Sequence, residues 1–295
     1  MHNNDRLLFI VNPISGGKEK KDWETAIREF FKDSPLAVEF YILTGENDKP
    51  SIQHYIERIR PDKVVAIGGD GTIKMVAEIT KESSIALGII PAGSANGLAK
   101  ELGIPVDITE ALKIIVDGEQ QALDAIRINE EYFSFHLSDV GLNALLVKYF
   151  EASAGRGMWG YGRSLFKMLV NKKKMRVTIK TDTETVKRKA YMVALANAEK
   201  YGTGAVINPH GDVQDGMFEI VVVRKINVLH IFKAVMAHKS FDPQKIEVFK
   251  TKSVELVFQQ KAPFQIDGEY IGETAKLTAR ILPKIVKVML PKKDK

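Results

Sequence analysis

Five residues in the first third of the chain, Gly68-Gly69-Asp70-Gly71-Thr72, constrain the fold more than any others. The run Lys63 to Ile67 before them reads as a short buried strand. Thr72 to Glu82 after them reads as an amphipathic helix with Ile73, Val76, Ala77 and Thr80 on one side. A turn made mostly of glycine lets the backbone come close to a ligand, and the helix that follows offers unpaired N–H groups and a positive dipole end. Those are the makings of a phosphate site. Asp70 is the odd member, because a carboxylate beside phosphate oxygens is repelled unless a cation lies between them or the acid takes a proton. It hints at Mg²⁺ or at chemistry. The plain alternative is a strand-to-helix turn with Asp70 or Thr72 as its N-cap.

The rest of the first half has the same alternation. Leu7 to Val11 is a strand leading into Asn12-Pro13-Ile14-Ser15-Gly16-Gly17-Lys18, and Trp23 to Phe31 is a helix with Trp23, Ile27, Phe30 and Phe31 inward. Leu36 to Leu43 is a strand closing at Thr44-Gly45, Ser51 to Arg60 a helix, and Ile85 to Ile90 a strand ending at Pro91-Ala92-Gly93-Ser94-Ala95-Asn96. Asn96 to Leu102 and Asp107 to Val116 are helical, the second with an Asp107/Glu110 capping box. Short alternating strands and helices predict a doubly wound parallel sheet, which binds ligands off the carboxyl ends of its strands. Asn12, Thr44, Asp70 and Ser94 all fall there.

From about Ala122 the pattern changes to strand-like runs separated by turn residues: Ala125 to Ile128, Tyr132 to His136, Arg176 to Lys180, Arg188 to Ala196, Phe218 to Val223, Ile246 to Phe249, Ser253 to Phe258, Phe264 to Ile266 and Lys276 to Ile281. These predict an antiparallel β-sandwich. A helical insertion, Leu142 to Leu169, interrupts it, and Val228 to Ala237 is a second helical candidate. The isolated apolar run Lys284 to Leu290 suits a return to the first half. The expected division is an α/β nucleotide-binding domain over 1–123, rejoined by 283–295, and a β-sandwich substrate domain over 124–282.

The chain has 295 residues, no cysteine and a formal charge of +6. Disulfides and thiolate metal sites are excluded, and anionic partners are favoured. The polar opening Met1 to Arg6 does not read as a signal peptide, and no apolar run approaches the roughly 18 residues of a membrane-spanning helix. The expected location is cytoplasmic, peripheral to the membrane when active. The histidines show no ligand spacing.

Three first-half loops carry small, hydroxyl or amide residues at strand ends, which suits a nucleotide's phosphates; the plain alternative is that Ser15, Thr72 and Asn96 only cap helices. Gly17-Lys18 is not a Walker loop, having no glycine five positions earlier and no Ser or Thr after the lysine. Gly155-Arg156-Gly157-Met158-Trp159-Gly160 spells a dinucleotide fingerprint but follows a helix, so it reads as a joint. In the second half, Asp212-Val213-Gln214-Asp215-Gly216-Met217 and Ile266-Asp267-Gly268-Glu269 set acids around glycines, as hairpin turns also do. A carboxylate beside a reacting hydroxyl is what phosphoryl transfer uses as base. The insertion's apolar residues and the tract Lys172-Lys173-Lys174-Met175-Arg176 fit either a core stripe or a lipid surface.

These residues, in order, resemble those of the diacylglycerol kinase and sphingosine kinase superfamily of lipid kinases in its compact bacterial form. The resemblance runs nearly end to end through Asn12-Pro13, Ser15-Gly16, Thr44, Gly68 to Thr72, Gly93 to Asn96, Asp124, Gly141, Asp215-Gly216 and Asp267-Gly268-Glu269. It implies that ATP and Mg²⁺ lie between the two domains and that the γ-phosphate passes to a hydroxyl of a diacylglycerol-like or sphingoid-like lipid. By the same resemblance Asn12, Ser15, Thr44, Gly69, Gly71, Thr72, Ser94 and Asn96 hold the nucleotide. Asp70 joins the Mg²⁺ and proton network with Asp124 supporting it, and Asp215 binds a structural Mg²⁺ with main-chain oxygens of Asp212 and Met217. Asp267 is the base and Glu269 its acidic partner. The implied partner is a lipid at the membrane surface, not nucleic acid; a homodimer is compatible with it.

The chain departs from many relatives in having Lys74-Met75 where they have Asn-Glu, and its third loop begins as sphingosine-type loops do. Two alternatives stay open: a soluble-substrate kinase of the NAD kinase type, and a nucleotide- and lipid-binding protein without chemistry.

Overall fold

A computed structural model describes residues 6–15, 23–151, 167, 168, 170, 171, 173–199, 207–209, 211–225 and 246–292. Gly16 to Lys18, the joint 155–160, most of the apolar insertion and the helical candidate 228–237 lie outside the described residues. The chain packs as two units, one of residues 1–123 and 284–295, the other of 124–283.

In the first unit the strands are β1 (Arg6–Val11), β2 (Ala37–Ile42), β3 (Lys63–Gly68) and β4 (Ala86–Pro91). Between and after them lie α1 (Trp23–Phe30), α2 (Asp48–Ile59), α3 (Asp70–Thr80), α4 (Gly97–Glu101) and α5 (Ile108–Asp117). The strands pair in parallel in the order β4-β3-β1-β2. Parallel pairing demands crossovers, and the intervening helices supply them. Both β1 and β3 are buried almost throughout, as continuous apolar runs in a covered parallel sheet should be. In α3 the buried residues are Thr72, Ile73, Val76, Ala77 and Thr80, the face set by the sequence period. In α1 only Ile27 is fully buried, with Phe31 just beyond it; Trp23 and Phe30 are half-buried.

The second unit is an antiparallel β-sandwich. Its elements are β5 (Glu119–Ile128), β6 (Tyr132–Ser134), β7 (Leu137–Gly141), α6 (Leu142–Glu151), β8 (Met175–Thr181), β9 (Thr185–Ala190), β10 (Met192–Ala196), β11 (Phe218–Val223), β12 (Ile246–Thr251), β13 (Ser253–Ile266) and β14 (Glu269–Leu290). Strand β5 begins in the first unit, and the last part of β14 belongs to it, where Lys287 and Val288 pair in parallel with Ala86 and Leu87 of β4. Within the second unit the order is β12-β11-β10-β7-β13-β14, with β8 also on β13 and β9 on β8. The core lies among Ile126, Val193, Phe218, Ile220, Leu256, Phe264 and Leu277.

Several boundaries differ from the sequence expectation: Lys276 to Ile281 and the run Lys284 to Leu290, read as isolated, are both part of β14, and β5 starts at Glu119. The runs Ser253 to Phe258 and Phe264 to Ile266 are one strand, because the polar stretch between them stays extended through a register irregularity between Val257 and Ala262. Conversely Arg188 to Ala196 divides at Tyr191, whose N–H bonds the Val223 carbonyl at 2.8 Å.

The N-cap half of the α5 capping box forms: Asp107 accepts the Glu110 N–H at 3.0 Å, while the Glu110 carboxylate pairs with Lys113. Asp107→Ala should therefore lower stability by about 1 kcal/mol. A drop in the urea midpoint checks this; an unmoved midpoint would mean that the bond contributes nothing.

Candidate active site

Because β1 to β4 run parallel, their carboxyl ends share one edge of the first unit, and the chain leaves each through a different loop. The central meeting is between the turns after β3 and β4, whose last residues Gly68 and Pro91 are register partners. A Cβ added at Gly93 would stand 2.4 Å from the Cα of Gly69, so the two backbones touch at a point where neither residue can carry a side chain without moving the other. The Ala92 N–H bonds the Gly68 carbonyl at 2.8 Å.

Side chains then tie the loops together. Asn12, after β1, donates through Nδ2 to the Thr72 hydroxyl at 3.0 Å, and its own N–H bonds the Ile67 carbonyl at 2.9 Å. Asp70 accepts the N–H of Gly97 on one oxygen and that of Leu98 on the other, at 3.0 and 3.1 Å. It thus caps the helix after β4 while sitting in the first turn of the helix after β3. Asn96 folds back on its own turn, accepting the Gly93 N–H at 2.8 Å and donating to the Gly93 carbonyl at 2.9 Å. Neither Asp70 nor Thr72 is the N-cap of α3; that position is Gly69, and neither it nor Asn96 at α4 makes a side-chain cap bond.

The structure therefore joins Asn12, Gly69, Asp70, Thr72 and Asn96. Ser15, Gly71 and Ser94 lie in the same loops, Gly71 and Ser94 exposed. Thr44, after β2, is held by Asp48, which accepts its N–H at 3.0 Å, its hydroxyl at 3.1 Å and the Gly45 N–H at 2.8 Å. Burial alone would raise the Asp48 carboxyl, but the N–H groups of Thr44 and Gly45 and the hydroxyls of Thr44 and Tyr41 outweigh it and hold it below the usual range.

In the second unit Asp267 and Gly268 form a two-residue hairpin turn between β13 and β14, both with positive φ, 49° and 89°. Asp-Gly suits such a turn. The Asp267 carboxylate is also clamped to the segment before β7. Its Oδ1 accepts the Ser134 hydroxyl at 2.8 Å and the N–H groups of His136 and Leu137 at 3.1 Å, and its Oδ2 accepts that of Phe135 at 3.0 Å. Glu269 is exposed just past the turn.

The fully buried Asp124 accepts the Gly216 N–H at 2.6 Å. Asn197 donates to the carbonyls of Asp124 and Phe135 at 3.0 and 3.1 Å. These contacts make one buried polar cluster, to which Ser134, His136, Ser138 and Asn197 contribute without belonging to any sequence motif. His136 Nε2 and Asn197 Oδ1 are buried there without a hydrogen-bond partner among the described residues.

In the loop 212–217 both acids make local contacts. Asp215 accepts the Met217 N–H at 2.9 Å and pairs with Lys250 at 2.5 Å, while Asp212 accepts the Gln214 N–H at 2.9 Å. Among the described residues no three acids or histidines gather as metal ligands. The Lys250 ammonium pairs with Asp215, and a cation held by Asp215 and the main-chain oxygens of Asp212 and Met217 would take its place.

Lys250 also lies 3.6 Å from Glu219, which is 3% exposed and receives Asn208 Nδ2 at 2.6 Å. Burial pushes the Glu219 carboxyl above the usual range, against the pull of Asn208 and Lys250.

With both sets of contacts described, comparison with known proteins gives the family. Residues 6–128 match the family model described as diacylglycerol kinase catalytic domain, and residues 139–290 that described as YegS C-terminal NAD kinase beta sandwich-like domain. The chain belongs to the family that joins a diacylglycerol kinase catalytic domain to a YegS C-terminal domain. Within that family it is similar to the diacylglycerol kinase of Bacillus subtilis, 24% identical over 277 residues and 90% of each chain. It is also similar to that of Staphylococcus aureus, 27% identical over 291 residues, 94% of this chain and 89% of the other. The fold is similar to a crystal structure of a diacylglycerol kinase from Bacillus anthracis str. Sterne, with a TM-score of 0.75, 21% identity and 97% of each chain covered.

Two outcomes follow for this family member. Asp70→Asn removes one of the two acceptors that cap α4 and should cost about 1–3 kcal/mol, read by urea unfolding; unchanged stability would mean that the cap bonds contribute nothing. A carboxyl raised by folding stabilises the protein below its unfolded value and loses that contribution as pH rises through the folded value. Glu219→Gln should therefore gain in melting temperature relative to the parent as pH goes from about 4 to 7, and a constant difference would refute it.

Proposed function

We propose that this chain is an ATP-dependent lipid kinase that passes the γ-phosphate to a hydroxyl of a diacylglycerol-like or sphingoid-like lipid, giving a phospholipid. The observation that carries this is the loop edge of the first unit. Bare backbone at Gly69 and Gly93 and the ties Asn12–Thr72 and Asp70–Gly97 hold three strand-end loops together before any ligand arrives. Fixed donors of this kind lower the barrier of a transfer that depends on positioning and charge neutralisation. The lipid class is supported by the names of the relatives.

In this proposal Asn12, Ser15, Thr44, Gly69, Gly71, Thr72, Ser94 and Asn96 hold the nucleotide, with the N-terminus of α3 toward its phosphates. Mg²⁺ bound with the nucleotide supplies neutralisation of the phosphate charge. Each Asp70 oxygen accepts one backbone N–H and so keeps acceptor capacity for that network.

Asp267 is assigned as the proton acceptor: its Oδ1 is saturated with three donors, but Oδ2 takes one and retains a lone pair. Glu269 is its acidic partner. Asp124 supports the second unit's polar cluster through Gly216. A structural Mg²⁺ is assigned to Asp215 with main-chain oxygens of Asp212 and Met217, in exchange for the Lys250 ammonium. No helix among the described residues is long and apolar enough to cross a membrane, so lipid is met by peripheral contact in this proposal.

Radiolabelled ATP and Mg²⁺ incubated with detergent-dispersed diacylglycerol, a sphingoid base or NAD test the assignment. Label is expected in the extract of a lipid arm; label only in the NAD product, or tight ATP binding with no product in any arm, would overturn it. Asp267→Asn, which keeps the turn, should cut turnover by about a hundredfold or more while ATP affinity stays. Full activity would remove Asp267 from the chemistry.

A further inference from the structure

A cavity of about 630 Å³ opens in the second unit between α6, the start of β8 and the polar stretch of β13. Five cations line it, Lys173, Lys174, Arg176, Lys189 and Lys261, against a single acid, Glu273. Glu273 is itself 3.5 Å from Lys148, which is not part of the lining. Lys174 stands 5.1 Å from the centre of the Tyr191 ring. None of the five has a carboxylate within 4 Å among the described residues, although nearby strands match their cations with acids, as Arg188 with Glu247 and Lys276 with Glu255.

The sheet register sharpens this. Arg176 of β8 and Lys189 of β9 are directly opposed partners in the antiparallel ladder. Like charges at opposed positions destabilise a strand pair unless something of opposite sign sits with them. The irregularity in β13 falls beside them and brings Gln259 and Gln260 to the lining, adding amide groups to the ammonium and guanidinium donors. Several N–H donors around an uncompensated positive cavity suit phosphate oxygens.

Apart from Asn171, the remaining wall is apolar. Leu142, Leu145 and Tyr149 come from α6, and Met175 and Pro263 complete it. A free phosphate would use only the cations; a phosphate ester with a hydrocarbon arm would use both surfaces. We infer that this cavity is a binding site for a phosphate ester borne on an apolar tail, the headgroup end of an anionic phospholipid. It uses none of the residues assigned to phosphoryl transfer, and it does not rest on the kinase proposal.

The full chain is titrated calorimetrically with dihexanoyl phosphatidic acid below its micelle concentration, with inorganic phosphate, and with the lipid again under saturating ATP. The parent should bind the lipid at least about tenfold more tightly than phosphate, and ATP should leave that binding in place. Arg176→Gln combined with Lys189→Gln should weaken lipid binding about tenfold or more. The melting temperature of the ligand-free variant should be equal or higher, since a like-charge pair has been removed. A second variant, Leu145→Ala, should weaken the lipid and not phosphate. Phosphate binding as tightly as the lipid would overturn the amphiphile assignment in favour of a free-anion site. Displacement by ATP, absence of lipid binding, or lipid binding indifferent to the double variant would overturn the site.

Discussion

The contact between Gly69 and Gly93 governs the geometry of the first unit's loop edge. Adjacent parallel strands end side by side, so the turns that leave them compete for the same space. Here the competition is resolved by removing side chains from both, and the consequence is a close backbone contact whose peptide groups are half-buried. Asp70 then acts as a strut, reaching from the first turn of α3 to the first N–H groups of α4. Its negative charge lies at two helix N-termini, where dipoles favour it. That resolves the puzzle of an acid in a glycine-rich phosphate turn: Asp70 has a structural task, accepting the first N–H groups of α4, before any nucleotide or cation arrives.

Asp267 obeys the same logic in the other unit. Three consecutive N–H groups and a serine hydroxyl hold it, and the left-handed turn that carries it is one that Asp-Gly accommodates. Both carboxylates are therefore structural members as well as chemical candidates. Removing either whole would loosen a neighbouring segment and reduce activity for reasons unrelated to proton transfer. Amide replacements keep one acceptor and the shape, so stability and turnover can be read apart.

Much of this was legible in the chain. The α/β alternation followed from apolar runs such as Lys63 to Ile67, the buried face of α3 from its period, and the α5 cap from Asp107 and Glu110. The change to an antiparallel sandwich showed in the close succession of strand-like runs. What stayed hidden was non-local. Nothing near Asp70 in sequence points to the N–H groups of Gly97 and Leu98, and nothing near Asp215 points to Lys250, 35 residues on. Ser134, His136 and Asn197 lie among strand residues, where a polar side chain reads as solvent-facing until the pairing buries it. The polar stretch Gln259 to Lys261 breaks the apolar pattern, so local sequence divides what pairing keeps as one strand.

Strand register also decides what the chain's positive charge does. A surplus of +6 spread over a surface is screened and has little consequence for structure. Along β9, β12 and β14 that spreading is local: Arg188, Lys250, Lys276 and Arg280 each meet a carboxylate. Around the α6 cavity the pattern fails, since the β8–β9 ladder opposes Arg176 to Lys189 and the β13 irregularity adds Lys261. Shifting β9 by one residue would turn its side chains to the other face and carry Val186, which packs on the core, away from it. The core thus fixes the register, and the register fixes the charge concentration. Folding alone gives no relief from that repulsion, so a ligand that brings negative charge into the cavity gains from an arrangement already built.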